Sequence, residues 1–265
     1  MKLKKLNPVT NGTRHKIKIQ KSLLSKNNRL FRPILSEYKN TSGRSSLNGN
    51  ITVWHKGGGV KKLYRSVDTL TEDTNSVVLA TCYDPYRNSF INLNFELLRK
   101  KFFYNTATNS IYPGSLLKNS LNISELKLGF RTRIKNIPAG SIIHNLTTNN
   151  NSKAQYIKAA GTSGQILQYN SKTAKIKLPS KKIIQISTEN FATIGIVSNT
   201  QSNLTTIGKA GTNRNLGKRP TVRGIAMNPV DHPHGGRANG GIPSVTPWGL
   251  PTKCGFYLRK KIKNK

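Results

Sequence analysis

The sequence predicts a mainly β chain, an oligonucleotide-binding (OB) barrel followed by an SH3-like barrel, with long irregular basic N- and C-terminal extensions. Three observations predict this. Short β-branched and aromatic runs recur between turn signals through the middle of the chain, this strand signal stops after Ser198, and positive charge concentrates outside the region that carries it. The 265 residues hold 44 Lys+Arg against 9 Asp+Glu, a formal net charge of +35. Residues 1–65 carry 16 basic residues and one acidic, Glu37, residues 196–265 carry 12 and one, Asp231, and the centre carries 16 and seven. Excess charge of one sign repels itself in a compact body, so a polyanionic partner is the first inference and a merely solvated cationic surface the plain alternative. An apolar content of 35% suits two modest cores better than one large one.

In order, residues 1–50 read as a basic extension with little periodicity, punctuated by Pro8, Asn11-Gly12, Pro33 and a polar run from Asn40 to Asn50. Residues 51–125 read as the OB domain. Its strands are expected at Ile51-Thr52-Val53-Trp54, at 63–67, at 77–83 and, with alternating apolar and polar positions, at 90–95, followed by Phe102-Phe103-Tyr104 and Ile111-Tyr112. Residues 126–197 read as the SH3-like barrel, with strands at 142–146, 166–169, 174–178 and 183–186, the last two joined as a hairpin at Ser180-Lys181. Residues 198–265 are rich in Gly, Pro, Arg and Lys and have no core pattern of their own, so RNA would supply their order.

Composition also excludes. Cys82 and Cys254 lack the spaced partners of a metal site or disulfide framework, and no apolar run reaches the length of a membrane span. The first twenty residues are basic and acid-free, which superficially suits a transit peptide. Frequent Asn, Ile and Lys are what AT-rich coding would produce.

Three motifs carry the candidate chemistry. His55-Lys56-Gly57-Gly58-Gly59, with Lys61, Lys62 and Arg65 behind it, sets glycines among phosphate-reaching groups, so backbone N–H donors can approach an anion. A plain hairpin turn is the alternative, and a Walker loop fails for want of the glycine–lysine–hydroxyl order. From Gly208 to Gly224, Lys209, Arg214, Lys218, Arg219 and Arg223 alternate with small residues, as in a strip threading between RNA helices. A disordered basic linker is the competing reading. The third motif holds Asn228, Asp231, His232 and His234 in a loop braced by Pro229 and Pro233, then Arg237. Two histidines and an aspartate invite a metal or catalytic reading. Further ligands are missing nearby, and Ser244 has no evident base to make it a nucleophile.

These motifs together resemble the family of the second protein of the large ribosomal subunit. The resemblance rests on the run from Lys209 to Gly236, and on matching text at His55-Lys56-Gly57-Gly58-Gly59, Tyr83-Asp84-Pro85, the stretch from Arg133 to His144, Ala192-Thr193-Ile194-Gly195 and Thr246-Pro247-Trp248-Gly249. It implies the two barrels, extensions buried in large-subunit ribosomal RNA, and a place near the peptidyl transferase region and the subunit interface. It implies no catalytic residue and no cofactor of the chain's own, although structural Mg2+ of the RNA would lie nearby. Implied partners are that RNA, neighbouring ribosomal proteins and small-subunit components at the intersubunit bridge. Arg87, Arg133 and Trp248 join the RNA-binding candidates through the matched segments.

The chain departs from the family at Asn151-Ser152-Lys153-Ala154, where a glycine-rich segment is usual, at Ala159, at Asn215, where a tryptophan is common, and at Arg237 and Ala238. This drift points to a ribosome of the mitochondrial matrix, with a plastid or the bacterial cytoplasm as alternatives. Because the match begins early, little room is expected for a removable targeting peptide. Two other function classes compete. A free single-strand-binding module would present Tyr64, Tyr83, Phe90 and Phe95 on one sheet face, and a metal-dependent hydrolase would use Asp231, His232 and His234.

Overall fold

The computed structural model describes residues 3–22, 24–25, 35–38, 43–67, 73–121, 125–148, 153–236 and 244–252. The chain divides into two compact units, one formed by Met1–Asn40 with Val60–Thr212 and the other by Thr41–Gly59 with Asn213–Lys265.

The first unit opens with β1 (Leu3–Lys5) and β2 (Ile17–Ile19), an antiparallel pair in which Leu3 faces Ile19. This is more order than the early sequence promised. The period-two alternation of apolar residues with lysines in these short runs is enough for a hairpin once the tail of the chain adds a partner. That partner is Thr206, which bridges Ile17 through backbone bonds of 3.2 Å in both directions. β3 (Leu35–Tyr38) pairs with β4 (Leu63–Arg65), and Val67 then bridges Tyr104 in parallel.

The OB-type half follows as β5 (Thr74–Cys82), β6 (Ile91–Glu96), β7 (Phe102–Thr106) and β8 (Leu116–Asn119), hydrogen-bonded in the order β7-β6-β5-β8. The SH3-like half is β9 (Arg131–Arg133), β10 (Ile142–His144), β11 (Gly164–Tyr169), β12 (Thr173–Lys177), β13 (Ile183–Ser187) and β14 (Phe191–Ile194), in the order β13-β12-β11-β10-β14-β9. A single parallel pair, Asn119 with Arg131, joins the halves into one ten-stranded run. The expected hairpin is present. Lys177 pairs with Ile183, and Lys181 takes a positive φ of 67° in the turn.

Each half has its own core. Ile134, Ile137, Ile143, Leu146, Ile166, Ala174 and Ile176 fill the second barrel. Ile91, Leu93 and Tyr104 fill the first, while Phe90 and Ala107 pack with Leu24 from the N-terminal segment. Truncating a fully buried isoleucine in such a core typically costs ~2–5 kcal/mol.

Two expected strands differ. Ile51-Thr52-Val53-Trp54 forms bends and a turn in the second unit, where Thr52 and Val53 donate to the carbonyl of Gly43. Ile51, Val53 and Trp54 are 45, 45 and 54% exposed, so no buried face holds them as a strand despite their β propensity. Ile111-Tyr112 lies outside any strand, between two turns that precede β8. The alternation in β6 also misled, because both its faces are covered and Asn92 and Asn94 are buried. After Ser198 no strand occurs among the described residues. The tail instead makes single-turn 3-10 helices at Ser202–Leu204 and Gly224–Ala226 and one short helix, α1 (Ala210–Asn215).

Candidate nucleic-acid interface

In the second unit two of the sequence motifs meet. Lys56 and Lys218 form an antiparallel bridge, flanked by Gly57 N–H to the Gly217 carbonyl at 3.1 Å and Arg219 N–H to the His55 carbonyl at 2.9 Å. The His55 Nδ1–H donates to the Pro220 carbonyl at 3.2 Å, which leaves Nε2 outside that bond. Gly59 must be glycine for two reasons. Its φ is 96°, and a Cβ there would lie 3.0 Å from Gly217 N and 3.1 Å from the Asn215 carbonyl. The glycine run thus serves the close crossing of two basic segments. Lys56, Lys218, Arg219 and Arg223 all remain exposed along that crossing, as does Arg214 in α1.

The histidine loop is a separate construction in the same unit. Asn228 O accepts from the N–H groups of Asp231 (3.0 Å) and His232 (3.2 Å), and Gly236 N–H closes back to Met227 O at 3.1 Å. His232 is its internal brace. Only 9% of it is exposed, its Nδ1 accepts from the His234 backbone N–H at 3.0 Å, and its ring lies against Gly224, where a Cβ would stand 2.6 Å from Nδ1. His234 lies tilted against it with ring centroids 4.7 Å apart, and its Nε2 accepts from Val245 N–H at 3.3 Å. Backbone donors therefore occupy one ring nitrogen of each histidine. Among the described residues no cluster of three or more His, Cys, Asp or Glu is placed to hold a metal. Asn228, Asp231 and Val230 are exposed at the tip, with Val230 90% open. Trp248 is 67% exposed and meets Trp54 edge to face at 5.9 Å. Arg237 lies outside the described residues.

The first unit holds the remaining candidates, and they divide. Lys61 and Lys209 are exposed, the stem of Lys209 lying 3.2 Å from where a Cβ on Gly12 would stand. Lys62 is half-buried, its carbonyl accepting from the Tyr86 hydroxyl at 3.1 Å. Arg87 is committed internally. It pairs with the fully buried carboxylate of Asp84, donates to the Arg65 carbonyl at 3.2 Å and reaches the Tyr64 hydroxyl at 3.3 Å. Arg133 pairs with Glu189 at 2.8 Å, and Lys135 shares the same carboxylate at 3.1 Å. The matched segments around Arg87 and Arg133 thus contain clamps of the barrels themselves. Both arginines keep partial exposure of about 29%.

The aromatics proposed for a single-strand platform are dispersed. Phe90 is core, Phe95 packs on Phe102 at 5.1 Å, Tyr64 packs on Tyr86 at 5.5 Å, and the ammonium of Lys21 sits 3.5 Å over the Tyr83 ring. Burial, and then the nearby charge of Lys18, hold the Lys21 ammonium below its ordinary pKa. No open row of rings is available on the first barrel among them.

Sequence reasoning missed four residues, two at these surfaces and two in the interior. Trp54 stands directly before the His55-Lys56 motif, and an aromatic beside a basic run was the signal for it. Arg44 gave none, since the Gly43 turn places it. Arg131 and His144 are interior. Arg131 is buried beside the Phe191 ring (5.7 Å), burial lowers its pKa to about 10, and it donates to the Asn145 carbonyl at 3.1 Å. His144 is fully buried where the barrels meet, between the Gly195 carbonyl (3.0 Å) and the Thr108 hydroxyl (3.1 Å). Burial is the main cause that lowers its pKa to about 4.

Comparison with known proteins fits this arrangement of barrels and basic arms. Residues 31–118 match the family model for the RNA-binding N-terminal domain of ribosomal proteins L2, and residues 127–249 match the model for their C-terminal domain. Large ribosomal subunit protein uL2 of Rickettsia canadensis is 39% identical over 270 residues, covering 100% of this chain and 96% of the relative. The proteins of the same name from Rickettsia massiliae and Rickettsia rickettsii are 38% identical with the same coverage. With two barrels in the expected order and this likeness along its full length, the chain belongs to the ribosomal protein L2 family.

Proposed function

We propose that the chain is a structural constituent of the large ribosomal subunit, binding large-subunit ribosomal RNA and acting in translation without catalysing a reaction itself. The observation that carries this reading is the pair of crossing basic segments. Lys56, Lys218, Arg219 and Arg223 are exposed on a backbone fixed by its own hydrogen bonds, and Asp231 is the only acid after residue 196. With the backbone already fixed, meeting phosphate costs side-chain freedom alone, and it releases the phosphate's counterions. The RNA-contacting set is His55 to Gly59, Lys61, Lys209, Arg214, Lys218, Arg219, Arg223, Asn228, Asp231 and Trp248, with His232 and His234 shaping their loop. Arg65, Arg87 and Arg133 position barrel segments against the RNA, and Lys62 and Arg237 complete the basic surface.

The domain division follows the same reading: a basic extension over 1–50, the OB domain over 51–125, the SH3-like barrel over 126–197 and the basic arm over 198–265. The single strand pair at the β8–β9 seam supports the middle boundary. The finer placement is beside the peptidyl transferase region, with contacts across the subunit interface, in a mitochondrial ribosome. The Asn-, Ile- and Lys-rich composition supports that compartment. Recovery of the chain from a mitochondrial matrix fraction is the expected result, and recovery only from cytosol would contradict it.

A salt titration tests the RNA contacts. Arg219→Ala and Arg223→Ala are each expected to weaken binding to large-subunit RNA and to reduce the slope of log K against log salt by about one. An unchanged slope would mean that these side chains do not face phosphate.

A further inference from the structure

We propose that a groove in the second unit is a subsite for one unpaired nucleotide, with the Trp54 indole as the platform on which its base stacks. The proposal rests on the RNA-binding reading above and names where that RNA offers a base instead of its backbone. The groove measures about 540 Å³, within the ~300–1,000 Å³ of small-ligand sites, and is lined by Arg44, Val53, Trp54, His55, Lys56 and Arg219 among its residues. Among the described residues no acidic side chain lines it.

Each part of the lining has a distinct chemistry. Trp54 is 54% exposed, although a tryptophan this large is ordinarily well covered. Trp248 meets it edge to face, at 5.9 Å and 63° between planes, and His55 tilts against it at 6.5 Å. An edge-to-face contact covers at most one face of the indole, and with 54% of the residue exposed the other is left for stacking. Arg219 reaches the groove over Gly57, where a Cβ would stand 3.3 Å from its Cδ, and its backbone is anchored on His55. Arg44 spends one N–H on the Gly49 carbonyl at 3.0 Å, and that bond aims the guanidinium. With Lys56 these cations neutralise a phosphate, and Nε2 of His55 is the groove's hydrogen-bonding partner for a hydroxyl. An indole ringed by cations fits a nucleotide better than an apolar peptide, which would leave three charges without partners. A fully paired duplex offers charge but no free base face.

The chain contains two tryptophans, both in this pair, so Trp248→Phe leaves Trp54 as the sole indole reporter. The full-length Trp248→Phe protein would be titrated with a single-stranded hexaadenylate, a duplex of equal length, and inorganic polyphosphate. Saturable quenching of Trp54 fluorescence by the single strand, with little change from duplex or polyphosphate, is expected. In the otherwise wild-type chain, Trp54→Ala should weaken single-strand binding by roughly tenfold, Trp54→Tyr should restore most of it, and duplex affinity should not change. Equal quenching by polyphosphate would reduce the groove to a plain anion site and overturn the proposal. Quenching by an acidic peptide but not by the single strand would overturn it in favour of a protein partner. If RNA binding stays strong and salt-dependent while Trp54 is silent, the subsite fails and the RNA-binding reading stands. Loss of RNA binding altogether would fail both.

Discussion

Gly235→Ala should abolish the histidine loop and with it stable incorporation of the chain into large-subunit particles, reducing occupancy at least tenfold in a gradient-purified fraction. A Cβ at residue 235 would lie 2.2 Å from the Asn228 carbonyl oxygen and 2.3 Å from its carbon. Those atoms are backbone, and the same carbonyl ties down Asp231 and His232, so relief by a side-chain rotation is closed. Clashes of this kind belong to the class of substitutions that cost several kcal/mol. Gly224→Ala provides the contrast. Its Cβ would meet the ring of His232 at 2.6–2.8 Å, so the obstacle there is a side chain. Gly224→Ala alone should therefore impair the loop, and adding His232→Ala should recover part of the loss, whereas the same second change should do nothing for Gly235→Ala. Proton exchange of the Asp231, His232 and Gly236 amides reports the loop directly. Equal protection in all variants would show that the glycines are not there for close packing.

The second large effect is acid sensitivity centred on His144. Folded, its pKa is lowered to about 4, chiefly by burial; unfolded, it returns to the ordinary 6.5. A depressed histidine favours the neutral ring in the native state. Its stabilising contribution is whole above pH 6.5, erodes as the unfolded chain takes up the proton, and is gone once pH has fallen through about 4. A shift of this size amounts to a loss on the order of 3 kcal/mol across that window. Because His144 joins Gly195 to Thr108, the barrel junction should loosen first. His144→Gln, which keeps a donor and an acceptor, should flatten the pH profile of urea midpoints between 6.5 and 4. A profile as steep as that of the wild type would place the acid sensitivity elsewhere.

Much of this architecture was legible in the sequence. The second barrel was, because its strands are period-two runs around a single apolar core: Ile166, Ala174 and Ile176 face inward while Lys175 and Lys177 face out. The first was harder. β6 is covered on both faces, so its polar positions Asn92 and Asn94 imitate an exposed side that does not exist. Residues 51–54 carry β propensity but no buried face, and their shape comes from Gly43 and from segments beyond residue 213. Such distant pairing leaves no local periodic trace.

The basic motifs were visible as chemistry, but their division of labour was not. Spacing put Arg87 and Arg219 in one class of cation. The structure gives Arg87 a buried carboxylate and a tyrosine as partners, whereas the Arg219 side chain is exposed on a backbone tied to His55. Likewise, two histidines near an aspartate suggested a metal or a base. The ring of His232 instead fills the space that Gly224 leaves empty and accepts a backbone N–H, which makes it an architectural element of the loop.

The central claim, that this chain is held in the large ribosomal subunit by its RNA, is tested most directly by sedimentation of ribosomes from the source cells in moderate salt. The chain should travel with dissociated large-subunit particles in a fixed ratio to their RNA and shift to the top of the gradient after ribonuclease digestion. A chain found mainly at the top before digestion, or travelling with particles that lack large-subunit RNA, would contradict the account.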